Sequence, residues 1–124
     1  MTVLVAYART AEGEAALRHG RLTAAKEGED LLVFDLDGSS TSDDHRIEAT
    51  VPDEGPSARW YAKAHESRSA AGDLLDLAAE LDVDLVVVGV RRRSPIGKLV
   101  LGSNAQQIII DAHVPVLAVK SEAS

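Results

Sequence analysis

The feature that most constrains the fold is a series of short apolar runs, rich in β-branched residues, along the chain. They occupy residues 2–7, 31–34, 85–88 and 114–119. Such runs predict buried strands, and a weaker alternation over residues 59–65 predicts one more. Helical patterns lie between the runs. Because strand and helix alternate, the sequence predicts an α/β fold whose parallel strands are joined by right-handed crossovers.

Three segments have the composition of helices. Residues 11–26 follow Thr10, contain good helix formers and end before Gly28, which is typical of a helix stop. Apolar residues recur at i, i+3, i+4 and i+7 from Leu74 to Leu81, which predicts an amphipathic helix. Residues 104–112 form the third. Residues 39–57 are interpreted as a loop, with a short or degenerate helix near residues 43–49. With 124 residues, the chain is expected to form a single domain over residues 1–124.

Composition excludes several classes of function. The chain has no cysteine, so it can have no disulfide, thiolate metal site or catalytic thiol. Its four histidines share no metal-ligand spacing, and no metal site is predicted. Its longest apolar run, residues 85–90, is far shorter than a membrane span. The first residues lack a targeting signature, so a cytoplasmic location is expected.

Charge is distributed unevenly along the chain. Residues 1–90 hold 8 basic and 18 acidic residues, whereas residues 91–124 hold 5 basic and 2 acidic residues. Four of the five cations are Arg91, Arg92, Arg93 and Lys98. An acidic protein with a single basic segment is not expected to follow DNA electrostatically, and it has few aromatic residues to stack on single strands. The predicted partner is therefore a small anionic ligand, with no nucleic acid and no membrane.

The predicted site lies at the carboxyl ends of the strands, where open parallel sheets bind ligands. This places it in residues 8–10, 35–39 and 90–101. Gly89 ends a central strand, where a glycine lets a ligand approach the backbone. Gly102 and Ser103 open the last helix, whose free N–H groups favour an anion. Two simpler alternatives are a capping box of Ser103 with Gln106, and a solvated loop of arginines.

The same segment resembles the signature of the universal stress protein family, which is Gly-x-x-Gly, nine residues, then Gly-(Ser/Thr). Gly89, residues 93–101 and Gly102-Ser103 fit in register. The flanks, residues 84–89 and 114–119, fit as well, and the likeness extends back to residues 3–7 and 15–17. The resemblance implies a flavodoxin-like, adenine-nucleotide-hydrolase-like α/β/α sandwich of three layers. Its five parallel strands would have the order 3-2-1-4-5.

The resemblance also implies a binding or regulatory module that takes ATP or another adenine nucleotide, with no catalytic residue and at most slow nucleotide hydrolysis. The residues it assigns to the nucleotide are Tyr7, Ala8, Leu36, Val88, Gly89, Arg91, Arg92, Gly102, Ser103 and Asn104. The base would lie near the first three. The phosphates would lie against the glycines, the serine and the Asn104 backbone, with the two arginines above them.

Two residues depart from the family pattern. Arg92 stands where the signature has its second glycine, and Ala8 stands where ATP-binding members carry an aspartate. Loss of one buried hydrogen bond lowers affinity by roughly 0.5–3 kcal/mol and need not abolish binding. Because one branch of the family binds no nucleotide, the alternative is a nucleotide-free dimeric module for protein interaction.

A third possibility comes from Asp35-Leu-Asp37-Gly after an apolar strand, which resembles the first motif of haloacid-dehalogenase phosphatases. There the first carboxylate is a nucleophile and the second an acid/base, with Mg²⁺ between them. A strand and a helix already precede the motif here, which leaves too little chain for that catalytic domain. A polar turn after a buried strand is the simpler interpretation.

The last strand predicts a partner. Val114, Val116, Leu117 and Val119 place apolar side chains on both faces of an edge strand, which is a pairing hazard unless something covers it. A second copy of the same strand would cover it in a two-fold contact, and the alternative is that neighbouring helices cover it in a monomer. The family commonly dimerises through this strand, and a homodimer is expected.

Overall fold

A computed structural model of the chain describes residues 2–28, 30–39, 46–47, 58–63, 69–93 and 98–121. The elements of this described part are β1 (Thr2–Tyr7), α1 (Ala11–Glu27), β2 (Asp30–Ser39), β3 (Arg46–Ile47), β4 (Ala58–Lys63), α2 (Ala70–Glu80), β5 (Leu85–Arg93), β6 (Lys98–Val100), α3 (Ser103–Asp111) and β7 (Val116–Lys120). None of these three helices combines the length and the apolar character that crossing a membrane requires.

Five of the strands form one parallel sheet in the order β4-β2-β1-β5-β7. In chain order these are the third, second, first, fourth and fifth parallel strands, which confirms the predicted order 3-2-1-4-5. Two short strands pair antiparallel, β3 with β4 and β6 with the end of β5. Because β1 lies between β2 and β5, the connections leave it in opposite directions, and their divergence opens a crevice above its carboxyl end.

Alternation along the strands divides the core into two layers of side chains. Val3 and Val5 of β1 pack on the α1 side with Ala15, Ala16 and the neighbouring strands. Leu4 and Ala6 pack on the opposite face, in the cluster that includes the apolar residues of α2 and α3. Successive side chains of a strand point to opposite faces, so each central strand contributes to both layers. The predicted three-layer α/β/α sandwich is therefore confirmed.

The N-termini of the three helices are capped in two different ways. The Thr10 hydroxyl accepts a hydrogen bond from the Gly13 N–H at 3.1 Å, and the Ser69 hydroxyl accepts one from Gly72 at 2.9 Å. These are side-chain N-caps of α1 and α2. The N-cap of α3 is Gly102, without a side-chain hydrogen bond. The alternative in which Ser103 caps this helix as part of a capping box is therefore wrong.

The segments predicted as loops contain more strand than expected. β5 continues past Gly89 to Arg93 and pairs with β6, so residues 91–93 lie in a strand and not in a loop, although the Arg91 side chain is 60% exposed. β2 continues to Ser39, although its pairing with β4 shifts register between Asp35 and Ser39. Residues 46–47 form β3, where a short helix was expected. Residues 40–45 and 48–57, and the predicted loop residues 94–97, lie outside the described residues.

Candidate functional site

A cavity of about 210 Å³ lies above the carboxyl ends of β1, β2 and β5, between the first turns of α1 and α3. Its described lining is Ala6, Ala8, Thr10, Glu12, Gly13, Leu36, Val88, Gly89, Arg91, Gly102, Ser103, Asn104 and Ala105. The cavity is thus formed at the switch in strand order, where an open parallel sheet is expected to bind a ligand. Segments far apart in the sequence meet there because parallel strands end at the same edge.

The floor of the cavity depends on a close approach of helix and sheet. A Cβ atom built on Gly89 would overlap the backbone carbonyl of Glu12. A Cβ atom on Gly13 would overlap the carbonyl oxygen of Ala8. Glycine at both positions therefore lets the first turn of α1 lie directly on the ends of β1 and β5. The space that a side chain at position 89 would fill is therefore taken by the α1 backbone and not left for a ligand, contrary to the expectation from sequence.

The first turn of α3 forms one wall and has no cap of its own. Gly102 has extended geometry, with φ −64° and ψ 162°, and a Cβ atom there would meet nothing within 4 Å. The Ser103 hydroxyl makes no hydrogen bond within the described part of the chain. Since the first N–H groups of a helix have no partners inside it, this wall offers hydrogen-bond donors and the positive end of a dipole.

Arg91 and Glu12 both line the cavity and form an ion pair there. The Arg91 Nη2 atom lies 3.2 Å from Glu12 Oε1. The Arg91 side chain is 60% exposed, whereas that of Glu12 is only 20% exposed. These two are the charged residues of the described lining, so one cation and one anion give it no net formal charge.

Tyr7 is close to this region but belongs to the other side of β1. Its ring contacts Trp60 edge to face, with 5.3 Å between the ring centroids and 75° between the planes. Its hydroxyl donates to Glu14 Oε1 at 2.8 Å. Burial of the phenol, and next this hydrogen bond to a carboxylate, raise the pKa of Tyr7 above its ordinary value. Tyr7 is not among the described lining residues.

Eight of the ten residues assigned to the nucleotide from sequence surround the cavity: Ala8, Leu36, Val88, Gly89, Arg91, Gly102, Ser103 and Asn104. The other two are Tyr7, which contacts Trp60, and Arg92, whose backbone lies in β5 and whose side chain lies outside the described structure. The structure thus brings together residues from β1, β2, β5 and α3 that sequence reasoning assigned to one place.

Sequence reasoning missed the contribution of α1. Glu12 and Gly13 line the cavity, although on this side only residues 8–10, which include the lining residue Thr10, were predicted. One signal was available. Gly13 interrupts a segment of good helix formers, and a glycine in a helix is typical of a close packing contact. Ala6 and Ala105 also line the cavity, but nothing in their sequence context distinguishes them from core alanines.

The two aspartates of the phosphatase motif are engaged elsewhere. The Asp37 carboxylate accepts a hydrogen bond from the Arg9 backbone N–H at 2.8 Å. Asp35 accepts one from the Asp37 N–H at 3.0 Å and lies 4.0 Å from the Arg9 guanidinium. Neither lines the described cavity, and the described residues hold no group of three or more potential metal ligands. The described contacts of both carboxylates serve to join the ends of β1 and β2.

Comparison with known proteins identifies the family. The model of the universal stress protein family matches residues 1–120. The chain belongs to the universal stress protein family. A universal stress protein of Mycolicibacterium smegmatis is 32% identical over 127 residues, which cover 95% of this chain and 96% of the relative. The predicted resemblance is therefore confirmed along almost the whole chain.

Solved structures of universal stress proteins share the fold. One from Archaeoglobus fulgidus has a TM-score of 0.72 and 25% identity, and covers 97% of this chain and 98% of its own. A second from the same organism, in complex with dAMP, has a TM-score of 0.66 and 20% identity over 97% and 98% of the two chains. A universal stress protein in complex with cAMP has a TM-score of 0.62 and 19% identity over 98% of each chain.

Proposed function

We propose that this universal stress protein is a regulatory module that binds an adenine nucleotide in the cavity above β1, β2 and β5. The observation that carries the proposal is the meeting of two anion-binding features at one place. They are the uncapped first turn of α3 and the Arg91 guanidinium. Helix N-termini and arginine each favour phosphate, and here they share one cavity.

The opposite wall has the character that a nucleoside needs. Ala8 and Leu36 are partly buried, apolar residues at the ends of β1 and β2, and Val88 adds a buried apolar surface. Binding cavities for small molecules combine such apolar walls with a few convergent polar groups. The complexes of two structurally similar universal stress proteins with dAMP and cAMP support an adenine nucleotide as the ligand.

Ala8 explains how the site differs from that of the ATP-binding branch. The residue lies in the cavity wall, where it offers a methyl group in place of a carboxylate. The nucleoside therefore depends more on apolar contact and backbone hydrogen bonds. We expect moderate affinity, since one missing hydrogen bond costs roughly 0.5–3 kcal/mol.

The test is calorimetric titration with AMP, ADP and ATP of the wild type and of Gly102→Val. A Cβ at position 102 meets nothing within 4 Å, so valine fills space that a phosphate would use without disturbing the core. Saturable binding that valine lowers at least tenfold supports the proposal, with a loss of about 1 kcal/mol or less in the free energy of unfolding because valine is a poorer N-cap than glycine. Absence of binding at millimolar concentrations of all three nucleotides would refute it.

A second candidate function, a nucleotide-free module for protein interaction, is favoured by the edge of the sheet. Within the described part of the chain β7 pairs only with β5, and Leu117 on it is 41% exposed. Val119 is buried in the chain's own core, and Val114 and Val116 are partly buried. We infer that a homodimer forms along β7 with Leu117 as its main apolar contact.

Sedimentation equilibrium at micromolar concentration tests this dimer. We expect twice the mass of one chain for the wild type and the mass of one chain for Leu117→Asp. A matched control is Leu22→Asp, because Leu22 is 62% exposed and lies on α1, outside the edge strand. A wild-type mass equal to that of one chain would refute the dimer.

A further inference from the structure

We propose that Glu12 makes the cavity selective for ligands with one phosphate group over ligands with three. Its carboxylate competes with phosphate for Arg91 and repels each further negative charge. This inference deepens the proposed nucleotide function and rests on it. It concerns a residue of α1 that lies 79 positions from its partner in the sequence.

The geometry places the Glu12 carboxylate where a phosphate would bind. Its Oε1 atom lies 3.2 Å from the Arg91 guanidinium, which is within hydrogen-bond distance. The Glu12 side chain is 20% exposed, and both residues line the cavity. Without ligand, Arg91 therefore already holds an internal carboxylate, and a phosphate that uses this guanidinium must displace or share it.

The carboxylate cannot easily leave the cavity. The carbonyl group of Glu12 lies against Gly89, so the backbone that carries the side chain is fixed on the sheet. The position also favours a negative charge, because Glu12 lies in the first turn of α1, at the positive end of its dipole. A second source of attraction thus holds the carboxylate beside the cavity when Arg91 turns towards a ligand.

Charge balance gives the direction of the selectivity. The charged residues of the described lining are Arg91 and Glu12, so the described part of the wall has no excess of cations for a polyphosphate. A single phosphate has the first turn of α3 and a share of Arg91. Each added phosphate brings more negative charge near Glu12 without another described lining cation to compensate it, and the repulsion between like charges grows accordingly.

The test compares titrations of AMP and ATP against the wild type, Glu12→Gln and Glu14→Gln. Glutamine keeps the size and the hydrogen-bonding oxygen but removes the charge. Glu14 is the matched control, because it lies in the same turn and bonds to Tyr7 outside the cavity lining. We expect Glu12→Gln to raise the affinity for ATP about tenfold and that for AMP about threefold. Glu14→Gln should leave their ratio unchanged.

Two results would overturn the inference. A loss of affinity for both nucleotides in Glu12→Gln would mean that Glu12 positions Arg91 and does not compete for it. An equal gain in affinity for AMP and ATP would mean that Glu12 does not discriminate between them.

Inorganic tripolyphosphate, used as a further probe, separates this inference from the proposed function. If no variant binds a nucleotide but Glu12→Gln binds tripolyphosphate more tightly than the wild type, nucleotide binding is refuted and the role of Glu12 stands. If no variant binds a nucleotide, and the wild type and Glu12→Gln also bind tripolyphosphate equally, then nucleotide binding and the role of Glu12 are both refuted.

Discussion

Two helix N-termini face the same cavity, and they are built in opposite ways. The first turn of α1 is closed, because the Thr10 hydroxyl caps it and Glu12 places a carboxylate beside it. The first turn of α3 is open, because Gly102 provides no side chain and Ser103 makes no described hydrogen bond. The dipole of α1 is thus satisfied from within the chain, whereas that of α3 is available to a ligand.

The same contrast appears in the two glycines that begin and end the family signature in this chain. Gly89 is enclosed, since a Cβ there would overlap the backbone of α1. Gly102 is open, since a Cβ there would contact nothing. One glycine of the signature is therefore required for packing and the other leaves room for a ligand. A family signature can thus combine a folding requirement with a binding requirement, and substitutions at the two glycines separate them.

The largest effect is expected for Gly89→Ala. The added methyl group would overlap the Glu12 carbonyl, and backbone on both sides leaves no flexible side chain to move aside. Overpacking costs about 1–3 kcal/mol where side chains can adjust, so we expect a loss of about 3 kcal/mol or more in the free energy of unfolding. Urea denaturation measures it. A loss below about 1 kcal/mol would show that α1 does not pack on Gly89 so closely.

A smaller effect on stability and a larger one on binding are expected at Gly102. Asparagine and aspartate are both good N-caps, so Gly102→Asn and Gly102→Asp should each raise the free energy of unfolding by a few tenths of a kcal/mol. Only aspartate brings a negative charge to the open end of α3. It should lower nucleotide affinity at least about tenfold more than asparagine does. Equal affinities in calorimetry would mean that the anion does not bind at this helix end.

The sequence was sufficient for the architecture because its signals are local. Each apolar run, such as residues 85–88, fits a strand buried on both faces, and each helix has a capping or periodic pattern. Alternation of the two elements then leaves few possible topologies. Most of the cavity follows from this topology, since the carboxyl ends of β1, β2 and β5 must meet. The residues predicted at those ends therefore surround one cavity.

The features of the fold and the site that were not predicted depend on contacts that no local sequence pattern indicates. The ion pair of Glu12 with Arg91 joins residues 79 positions apart, and spacing along the chain cannot indicate it. The antiparallel pairing of residues 91–93 with residues 98–100 places three consecutive arginines in a strand, although arginine is not among the β-branched and aromatic residues that are enriched in strands. The side-chain cap of α3 was also predicted wrongly, because Gly102 ends the extended segment one residue before Ser103.

Thr10→Ala tests the closed helix end. It removes the hydroxyl that accepts the Gly13 N–H, and loss of an N-cap of this kind typically costs about 1 kcal/mol. Thr10→Ser keeps the hydroxyl and should retain most of the stability. Urea denaturation of both variants measures the cap directly. If the alanine and serine variants unfold at the same midpoint, the hydroxyl does not stabilise the end of α1.

The smallest effect is expected on the pKa of Tyr7, whose hydroxyl donates a hydrogen bond to Glu14. Glu14 is the second acid in the first turn of α1 and is not part of the described cavity lining. Burial and then the hydrogen bond to Glu14 hold the pKa of Tyr7 above its ordinary value of 10.0. Because the folded chain keeps the phenol proton more tightly than the unfolded chain, this contribution is complete below pH 10 and is lost as pH rises through the raised pKa. Spectrophotometric titration of the wild type, with Tyr7→Phe to subtract Tyr61, gives that pKa.

Glu14→Gln should lower the pKa of Tyr7, since it removes the negative charge next to the phenol, but not to the ordinary value, since the burial remains. This result would show that the two acids of the first turn of α1 have separate partners, Glu14 the phenol and Glu12 the guanidinium. If the pKa does not change, Glu14 is not held by Tyr7. Its charge would then be free to act on the cavity, and the closed end of α1 would have two acids facing a ligand in place of one.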